Sequence, residues 1–360
     1  MNSHKSRLAR VLSALQQAGI PQMFVTDPRS IWYLTGISVE PFERLFALYL
    51  NTDGREVLFL NRLYTVPESG LEEIWFTDTD DQIGLLASVV TQNAPLGIDK
   101  EWTARFLLPL LARLDGVTPV LASQCVDDCR AVKDAEEILL MRDASRINDL
   151  VISRAADYIR GGMTEKQVAA FIDEQYLLEG CEGNSFTTIV SFGANAADPH
   201  HGPDDTVLVD GQCVLIDMGC KKDRYCSDMT RTFFYGHADP AETAIHDLVR
   251  EANERAEAII RPGVVLKDVD AAARDYITAA GYGKEFNHRL GHFIGQTDHE
   301  QGDVSAVSTI VAKPGMIFSI EPGVYLPGRF GVRVEDLVLV TEDGCEVLNH
   351  VDKHWRVLTD

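Results

Sequence analysis

Asp217 and Asp228 each interrupt an apolar run that is typical of a β-strand, and a turn is predicted between the two runs. If the turn is centred on Lys222 and Asp223, the two acids lie opposite each other with their Cβ atoms about 5 Å apart. Two ionised carboxylates at that distance repel each other unless one is protonated or a cation lies between them. The spacing therefore predicts a metal site.

The same pattern returns downstream with Glu321 and Glu335. A turn centred on Gly328 sets these two glutamates opposite each other. One acid in an apolar strand is more often part of the solvated face of an antiparallel sheet. Four acids in two matched hairpins favour metal binding over that interpretation.

His292 lies between the two hairpins and is flanked by Gly291 and Gly295, which allow the backbone to approach closely. A lone histidine is more often a core or surface residue than a ligand. Four carboxylates and one imidazole together suit a pair of divalent ions such as Mn²⁺, Co²⁺, Zn²⁺ or Fe²⁺. A water between two such ions becomes hydroxide-like near neutral pH, which predicts a hydrolase.

Arg333 precedes Glu335 by two residues, so both side chains are predicted on the same face of one strand. There the guanidinium would orient the carboxylate of Glu335 or attract a carboxylate of the substrate. A surface arginine is the alternative interpretation.

The elements that must position these residues follow from hydrophobic periodicity. An amphipathic helix through Leu8 and Leu15 ends at Gly19. Short apolar runs then alternate with turns and helical stretches, which is an α/β pattern; the runs lie at 23–25, 46–50, 57–60 and 96–98. A long helix is predicted from Lys133 to about Ile159. These patterns predict an α/β domain at 1–128 and a second domain at 129–360.

The second domain contains a weak internal repeat. The segment that begins Ile159-Arg160-Gly161-Gly162 recurs, at a constant offset, as the segment that begins Ile260-Arg261-Pro262-Gly263. Each copy contains two helices followed by strands, and each supplies one acidic hairpin. The repeat predicts two similar halves around a shared cleft, although chance similarity between helical segments is an alternative.

Composition narrows the class of protein. The formal net charge of −22 opposes binding to nucleic acid and to anionic membranes, and most of the acidity is typical of a soluble surface. The seven cysteines are scattered and are predicted to be reduced thiols. No apolar segment has the length of a membrane helix and no signal peptide is apparent, so we expect a cytoplasmic protein.

The segments around the five predicted ligands resemble the metal-binding motifs of the M24 metallopeptidases, which include methionine aminopeptidase, aminopeptidase P and prolidase. The similarity extends over essentially the whole chain, including motifs at 27–29, 33–36 and 130–133. It implies an α/β creatinase-like N-terminal domain followed by an α+β pita-bread catalytic domain with an internal pseudo-two-fold repeat. It also implies a homodimer.

The resemblance further implies individual roles. Asp217 would chelate one metal, Asp228 and Glu335 would bridge both, and His292 and Glu321 would bind the other. Manganese is the metal expected first.

His200, rather than His201, and His299 match the two further histidines of the family, which would donate hydrogen bonds to the tetrahedral intermediate or to the ends of the substrate. Glu321 would act as general base and then acid. The chain length favours the Xaa-Pro dipeptidase branch, with a proline-containing dipeptide or short peptide as substrate.

The sequence departs from the family at Phe293, where glycine is usual, and at Gln301-Gly302-Asp303, where a proline is common. Phe293, together with His288, is therefore assigned to the substrate pocket, where its ring would narrow the cavity or stack on proline. A ring packed in the core is the alternative. The remaining alternatives for function are an aminopeptidase P on longer peptides, a hydrolase of another amide or ester, a metal-free enzyme of the creatinase kind and a non-catalytic binding module.

Overall fold

Residues 3–130 build one six-stranded mixed sheet with helices around it. The computed structural model describes residues 3–360, and the chain separates into two units, Met1–Arg130 and Ala131–Asp360. The predicted boundary lies two residues before this division. The strands of the first unit are β1 (Gln22–Val25), β2 (Ala47–Asn51), β3 (Arg55–Asn61), β4 (Glu72–Phe76), β5 (Pro95–Ile98) and β6 (Thr118–Leu121), in the spatial order β4-β3-β2-β1-β5-β6. Its helices are α1 (Ser3–Gln17), α2 (Pro28–Thr35), α3 (Gln82–Val89), α4 (Ala104–Arg113) and α5 (Gln124–Ala131).

Helix α2 shows how the local sequence sets an element's ends. Asp27 accepts hydrogen bonds from the backbone N–H groups of Arg29 and Ser30, and Pro28 occupies the first helical position. Gly36 ends the helix with φ of 77°, a left-handed conformation that glycine adopts without steric cost.

The second unit contains the predicted repeat of helices. Its helices are α6 (Ala135–Tyr158), α7 (Glu165–Leu178), α8 (Pro240–Glu257) and α9 (Leu266–Ala279). Helices α6 and α7 each begin with a capping box, at Asp134 and Thr164 respectively. Thr164, the residue before α7, forms an isolated β-bridge with Val207. Val265, the residue before α9, forms the corresponding β-bridge with Val311. The two halves thus share their element order, and the predicted fold class is confirmed.

Four sheets complete the second unit. The strands of the first half are β7 (Gly183–Asn184), β8 (Ile189–Phe192), β9 (Cys213–Met218), β10 (Cys220–Lys222), β11 (Tyr225–Cys226) and β12 (Met229–Tyr235). Those of the second half are β13 (Gly291–Phe293), β14 (Glu300–Val304), β15 (Ile317–Ile320), β16 (Gly323–Leu326), β17 (Phe330–Arg333), β18 (Asp336–Val340), β19 (Cys345–Val347) and β20 (Val357–Leu358). Their spatial orders are β11-β10-β7, β20-β12-β9-β8, β14-β13-β15-β18-β19 and β16-β17.

The register predicted for the first acidic hairpin is wrong by two residues. Asp217 pairs with Thr230 rather than with Asp228. The turn is centred one position later than predicted, because Asp223 and Arg224 both adopt positive φ, at 47° and 74°, as a two-residue hairpin turn requires. A shift of two residues leaves side chains on the same face, so both aspartates still face one side of the sheet.

The register predicted for the second hairpin is confirmed. Ile320 pairs with Asp336, and Gly323 pairs with Arg333, so Glu321 and Glu335 lie at matching positions between the two ladders. Gly328 in the turn has φ of 74°.

Two further sequence-based expectations concern the whole chain. The seven cysteines are all free thiols, six of them buried. Within residues 3–360, no helix combines the length and apolar character that crossing a membrane requires.

Candidate metal centre

A cavity of about 350 Å³ lies in the second unit, between the two acidic hairpins. Its wall contains nine of the ten residues that sequence analysis assigned to the site: His200, Asp217, Asp228, His288, His292, His299, Glu321, Arg333 and Glu335. The exception is Phe293. The two hairpins, strand β13 and the loops that carry the remaining histidines thus bring residues more than a hundred positions apart to one cavity.

Asp228, His292 and Glu335 form the centre of this group. Each offers one ligand atom, and these atoms all lie within 4.8 Å of one another. The Nε2 atom of His292 lies 3.5 Å from Oδ2 of Asp228 and 3.6 Å from Oε1 of Glu321. The imidazole is therefore placed between acids from both hairpins.

The tautomer of His292 follows from its backbone contact. Its Nδ1 lies 3.2 Å from the carbonyl oxygen of Phe293. A carbonyl can only accept a hydrogen bond, so Nδ1 carries the proton and Nε2 keeps its lone pair for a cation. This is the arrangement that histidine ligands of metals ordinarily adopt.

Burial makes the clustered acids unfavourable as anions. It raises the pKa of Glu321 to about 7, and it raises the pKa values of Asp228 and Glu335 well above their ordinary range, with neighbouring carboxylates adding to the shift. A divalent cation would offset this repulsion and hold all three ionised. The electrostatics of the site therefore suit a cation.

Unpartnered oxygen atoms give a second test of the fit. Oδ1 of Asp217 and Oδ1 of Asp228 are buried and accept no hydrogen bond from residues 3–360. Buried carboxylate oxygens ordinarily have a partner. The donor set, the histidine tautomer and these two atoms together fit a site for divalent metal.

Arg333 connects the clustered acids to the wall of the cavity. Its Nη2 donates to Oδ2 of Asp217 at 2.6 Å, its Nε donates to Oγ1 of Thr230 at 2.9 Å, and its Nη1 donates to the Tyr325 hydroxyl at 2.8 Å. The Thr230 hydroxyl donates in turn to Oε2 of Glu335 at 2.7 Å. The carboxylate that Arg333 contacts is therefore that of Asp217, and Thr230 links it to Glu335. Arg333 is buried, which excludes the surface interpretation.

Tyr325 and Thr230 were not singled out from the sequence. Thr230 could have been found, because it lies two residues after Asp228 and so shares its face of the strand. Nothing in the local sequence distinguishes Tyr325 from an ordinary strand aromatic.

His288 lines the cavity but has both ring nitrogens engaged. Its Nδ1 lies 2.7 Å from the Arg289 carbonyl oxygen and must donate to it. Its Nε2 therefore accepts, from the Tyr325 hydroxyl at 3.0 Å. Burial lowers the pKa of His288 to about 3, so the ring is neutral and presents its surface rather than a charge to the cavity.

His299 contacts His292 directly. Its ring stands edge-on to that of His292, with the centroids 4.1 Å apart. Burial and the nearby His292 lower the pKa of His299 to about 4. At neutral pH this imidazole is therefore uncharged and is suited to hydrogen bonding.

His201, beside His200, is held by a buried carboxylate. Its Nε2 lies 2.7 Å from Oε2 of Glu165, which is completely buried. The oxygens of Glu165 also accept from the backbone N–H groups of Phe192 and Asp204 and from the side chain of Asn195. Protein donors thus occupy both oxygens, so Glu165 anchors the loop that carries His200 and is not a metal ligand.

Phe293 does not line the cavity, and its assignment to the substrate pocket is wrong. The side chain is 1% exposed and lies in the core, with its ring centroid 5.5 Å from that of Phe318. A Cβ atom added at Gly302 would lie 2.6 Å from the Phe293 ring. Because Gly302 has no side chain, the Phe293 ring fits against its backbone and lies in the core.

Comparison with known proteins agrees with this geometry. The sequence model of metallopeptidase family M24 matches residues 139–342, and that of the Creatinase/Prolidase N-terminal domain matches residues 7–132. An uncharacterised peptidase of Staphylococcus aureus (strain MSSA476) is 34% identical over 359 residues, which cover 97% of this chain and 100% of that protein.

Solved structures are similar over nearly the full length. Dipeptidase PepE from Mycobacterium ulcerans has a TM-score of 0.94 and 36% identity, covering 99% of this chain and 98% of that one. A prolidase from Thermococcus sibiricus has a TM-score of 0.91 and 30% identity, covering 99% of this chain and 100% of that one. With its catalytic family model matched over more than half of its length, the chain belongs to metallopeptidase family M24 and is a metallopeptidase.

Proposed function

We propose that this enzyme is a dinuclear-metal dipeptidase that hydrolyses the Xaa-Pro bond. The observation that carries the proposal is the convergence of four carboxylates and one imidazole on one cavity, which is also lined by His200 and His299. Similarity to PepE, to the prolidase and to an Xaa-Pro dipeptidase from Bacillus anthracis (28% identity, TM-score 0.91) supports a dipeptide substrate.

The proposed ligands of the two ions are Asp217, Asp228, His292, Glu321 and Glu335, with Asp228 and Glu335 shared between the ions. When bound, two divalent cations supply a water of lowered pKa as nucleophile and polarise the scissile carbonyl. Manganese is the first candidate, and cobalt, zinc and iron are the others.

The protein's own residues would handle the protons and orient the substrate. Glu321 is proposed to accept the proton of the attacking water and to pass it to the leaving amine, a role that suits a carboxyl in a buried position. His200 and His299 are proposed to donate hydrogen bonds to the tetrahedral intermediate or to the ends of the peptide. Arg333 is proposed to hold Asp217 in the orientation that binding requires.

The size of the cavity suits a small substrate. A volume of about 350 Å³ lies at the low end of the range for ligand pockets, which fits a short peptide. A homodimer and a cytoplasmic location remain proposals.

One experiment tests the proposal directly. The purified protein is loaded with Mn²⁺, its metal content is measured, and turnover of an Xaa-Pro dipeptide is compared with that of an Xaa-Pro-Xaa tripeptide. We expect about two metals per chain and a preference for the dipeptide. A preference for the tripeptide would indicate an aminopeptidase P, and tight binding of two metals without hydrolysis of either peptide would indicate a binding module.

A further inference from the structure

The backbone ladder between the strands that carry Glu321 and Glu335 is interrupted at these two residues. The ladder of β15 and β18 ends at Ile320 and Asp336, and the ladder of β16 and β17 begins at Gly323. The backbone N–H of Glu321 donates to Leu290, and that of Glu335 donates to Thr230, so neither glutamate N–H is used within the hairpin.

At this interruption the Val334 N–H donates to the Pro322 oxygen at 3.4 Å, but Pro322 has no N–H that could donate to the Val334 oxygen in return. A buried carbonyl without a hydrogen-bond donor is unfavourable, so another donor is needed there. Asn253 of α8 supplies it and contacts both strands: Nδ2 lies 3.4 Å from the Val334 oxygen and 2.8 Å from the Ile320 oxygen. One fully buried amide therefore joins the two strands immediately before the two glutamates.

Lys353 fixes the orientation of this amide. Its Nζ donates to Oδ1 of Asn253 at 2.7 Å, and only the oxygen of the amide can accept. The NH₂ group is therefore directed at the two carbonyls. Nζ also lies 2.6 Å from Oε2 of Glu257 and 2.8 Å from Oδ2 of Asp336, the residue after Glu335.

We propose that Asn253, held by Lys353, is a positioning residue for the metal pair, because it fixes the separation of the strands from which Glu321 and Glu335 project. The inference rests on the proposed metal centre and adds two residues that do not line the cavity. Asn253 and Lys353 touch neither metal nor substrate in this arrangement and act through the backbone of the two glutamates.

The sharpest test is Asn253→Asp, which keeps the shape of the side chain and an acceptor for Lys353 but removes both donors to the strands. The metal-free protein is titrated with Mn²⁺ alone, and the melting temperature is measured with and without saturating Mn²⁺. We expect Mn²⁺ affinity to fall about 10- to 100-fold, the effect typical of residues that support metal ligands. The increase in melting temperature caused by Mn²⁺ should shrink accordingly.

A second pair of variants keeps the proposal testable if Asn253→Asp does not fold. Lys353→Met removes the donor that orients the amide, and Lys353→Arg retains a cation. We expect Lys353→Met to weaken Mn²⁺ binding and Lys353→Arg to restore most of it. Lys100→Met is the matched control, since Lys100 forms its ion pair with Asp127 in the first unit, 2.6 Å apart.

The outcomes separate the inference from the function on which it rests. If wild-type protein binds Mn²⁺ and both Asn253→Asp and Lys353→Met bind it equally well, Asn253 has no positioning role while the metal centre stands. If the melting temperature of the variants falls by the same amount with and without Mn²⁺, the inference is also overturned, because such a result indicates a structural role only. If wild-type protein binds no Mn²⁺, the proposed metal centre itself is wrong.

Discussion

Nη2 of Arg333 lies 2.6 Å from Oδ2 of Asp217, and both side chains are buried. The pair leaves Oδ1 of Asp217 as the oxygen without a protein partner. Removing the guanidinium would leave a buried carboxylate free to rotate and would also disconnect Thr230 and Tyr325. The arginine therefore sets which oxygen of Asp217 is offered to a cation.

We expect Arg333→Lys to lower kcat/KM about 10- to 100-fold, because an ammonium cannot make the three directed contacts of the guanidinium at once. Mn²⁺ affinity should fall with it. The check is steady-state kinetics together with metal titration, and Arg154→Lys at the Arg154–Glu179 pair serves as the control. Unchanged kinetics and affinity in Arg333→Lys would show that the contact with Asp217 has no functional role.

Asp228→Asn should disable the metal centre. The change preserves size but removes the negative charge that would offset two cations. We expect turnover to fall at least ~100-fold and bound metal to be lost. Turnover and metal content of the purified variant are the measurements, and near-normal activity at full metal content would contradict the proposed bridging role.

His200→Ala and His299→Ala should separate catalysis from metal binding. Each is expected to lower turnover, because a hydrogen bond to the intermediate is lost, while metal content stays close to that of wild type. Metal analysis and kcat of each variant test this. A variant that loses metal to the same extent as Asp228→Asn would identify its histidine as a ligand instead.

Phe293→Ala should act on stability rather than on substrate choice. The ring fills space between Phe318 and Gly302, so its removal leaves a cavity in the core. We expect the free energy of unfolding to fall by about 3–5 kcal/mol, with an unchanged ratio of dipeptide to tripeptide turnover. Melting temperature and that ratio are measured on one preparation. A changed ratio at wild-type stability would restore the pocket role.

His246 should make stability depend on pH. Burial lowers its pKa to about 4, whereas in the unfolded chain the pKa lies near 6.5. The unfolded chain therefore binds the proton first, so this contribution to stability, about 3 kcal/mol, is present above pH 6.5 and is lost as pH falls through 4. His246→Gln should flatten this part of the dependence of unfolding free energy on pH, relative to the exposed control His237→Gln. Equal slopes in the two variants would contradict the assignment.

Local sequence determined the candidate ligands and the kind of element that carries each one. An acid inside an apolar strand is conspicuous, and a glycine in the turn at Gly328 was enough to place Glu321 and Glu335 in the correct register. The register of the first hairpin was missed by two residues, because the positive φ values of Asp223 and Arg224 are not apparent from residue type, least of all for arginine. This error did not affect the predicted site, because a shift by an even number of residues leaves each side chain on the same face of the sheet.

Only the tertiary structure decided what surrounds the ligands. The direction of the Phe293 ring depended on whether space was available in the core, and Gly302 provides it from another strand. The contact of Arg333 with Asp217, and that of Lys353 with Asn253, each join residues about a hundred positions apart. Such contacts depend on how the two halves of the second unit fold onto each other, which hydrophobic periodicity does not encode because it specifies only the buried face of each element.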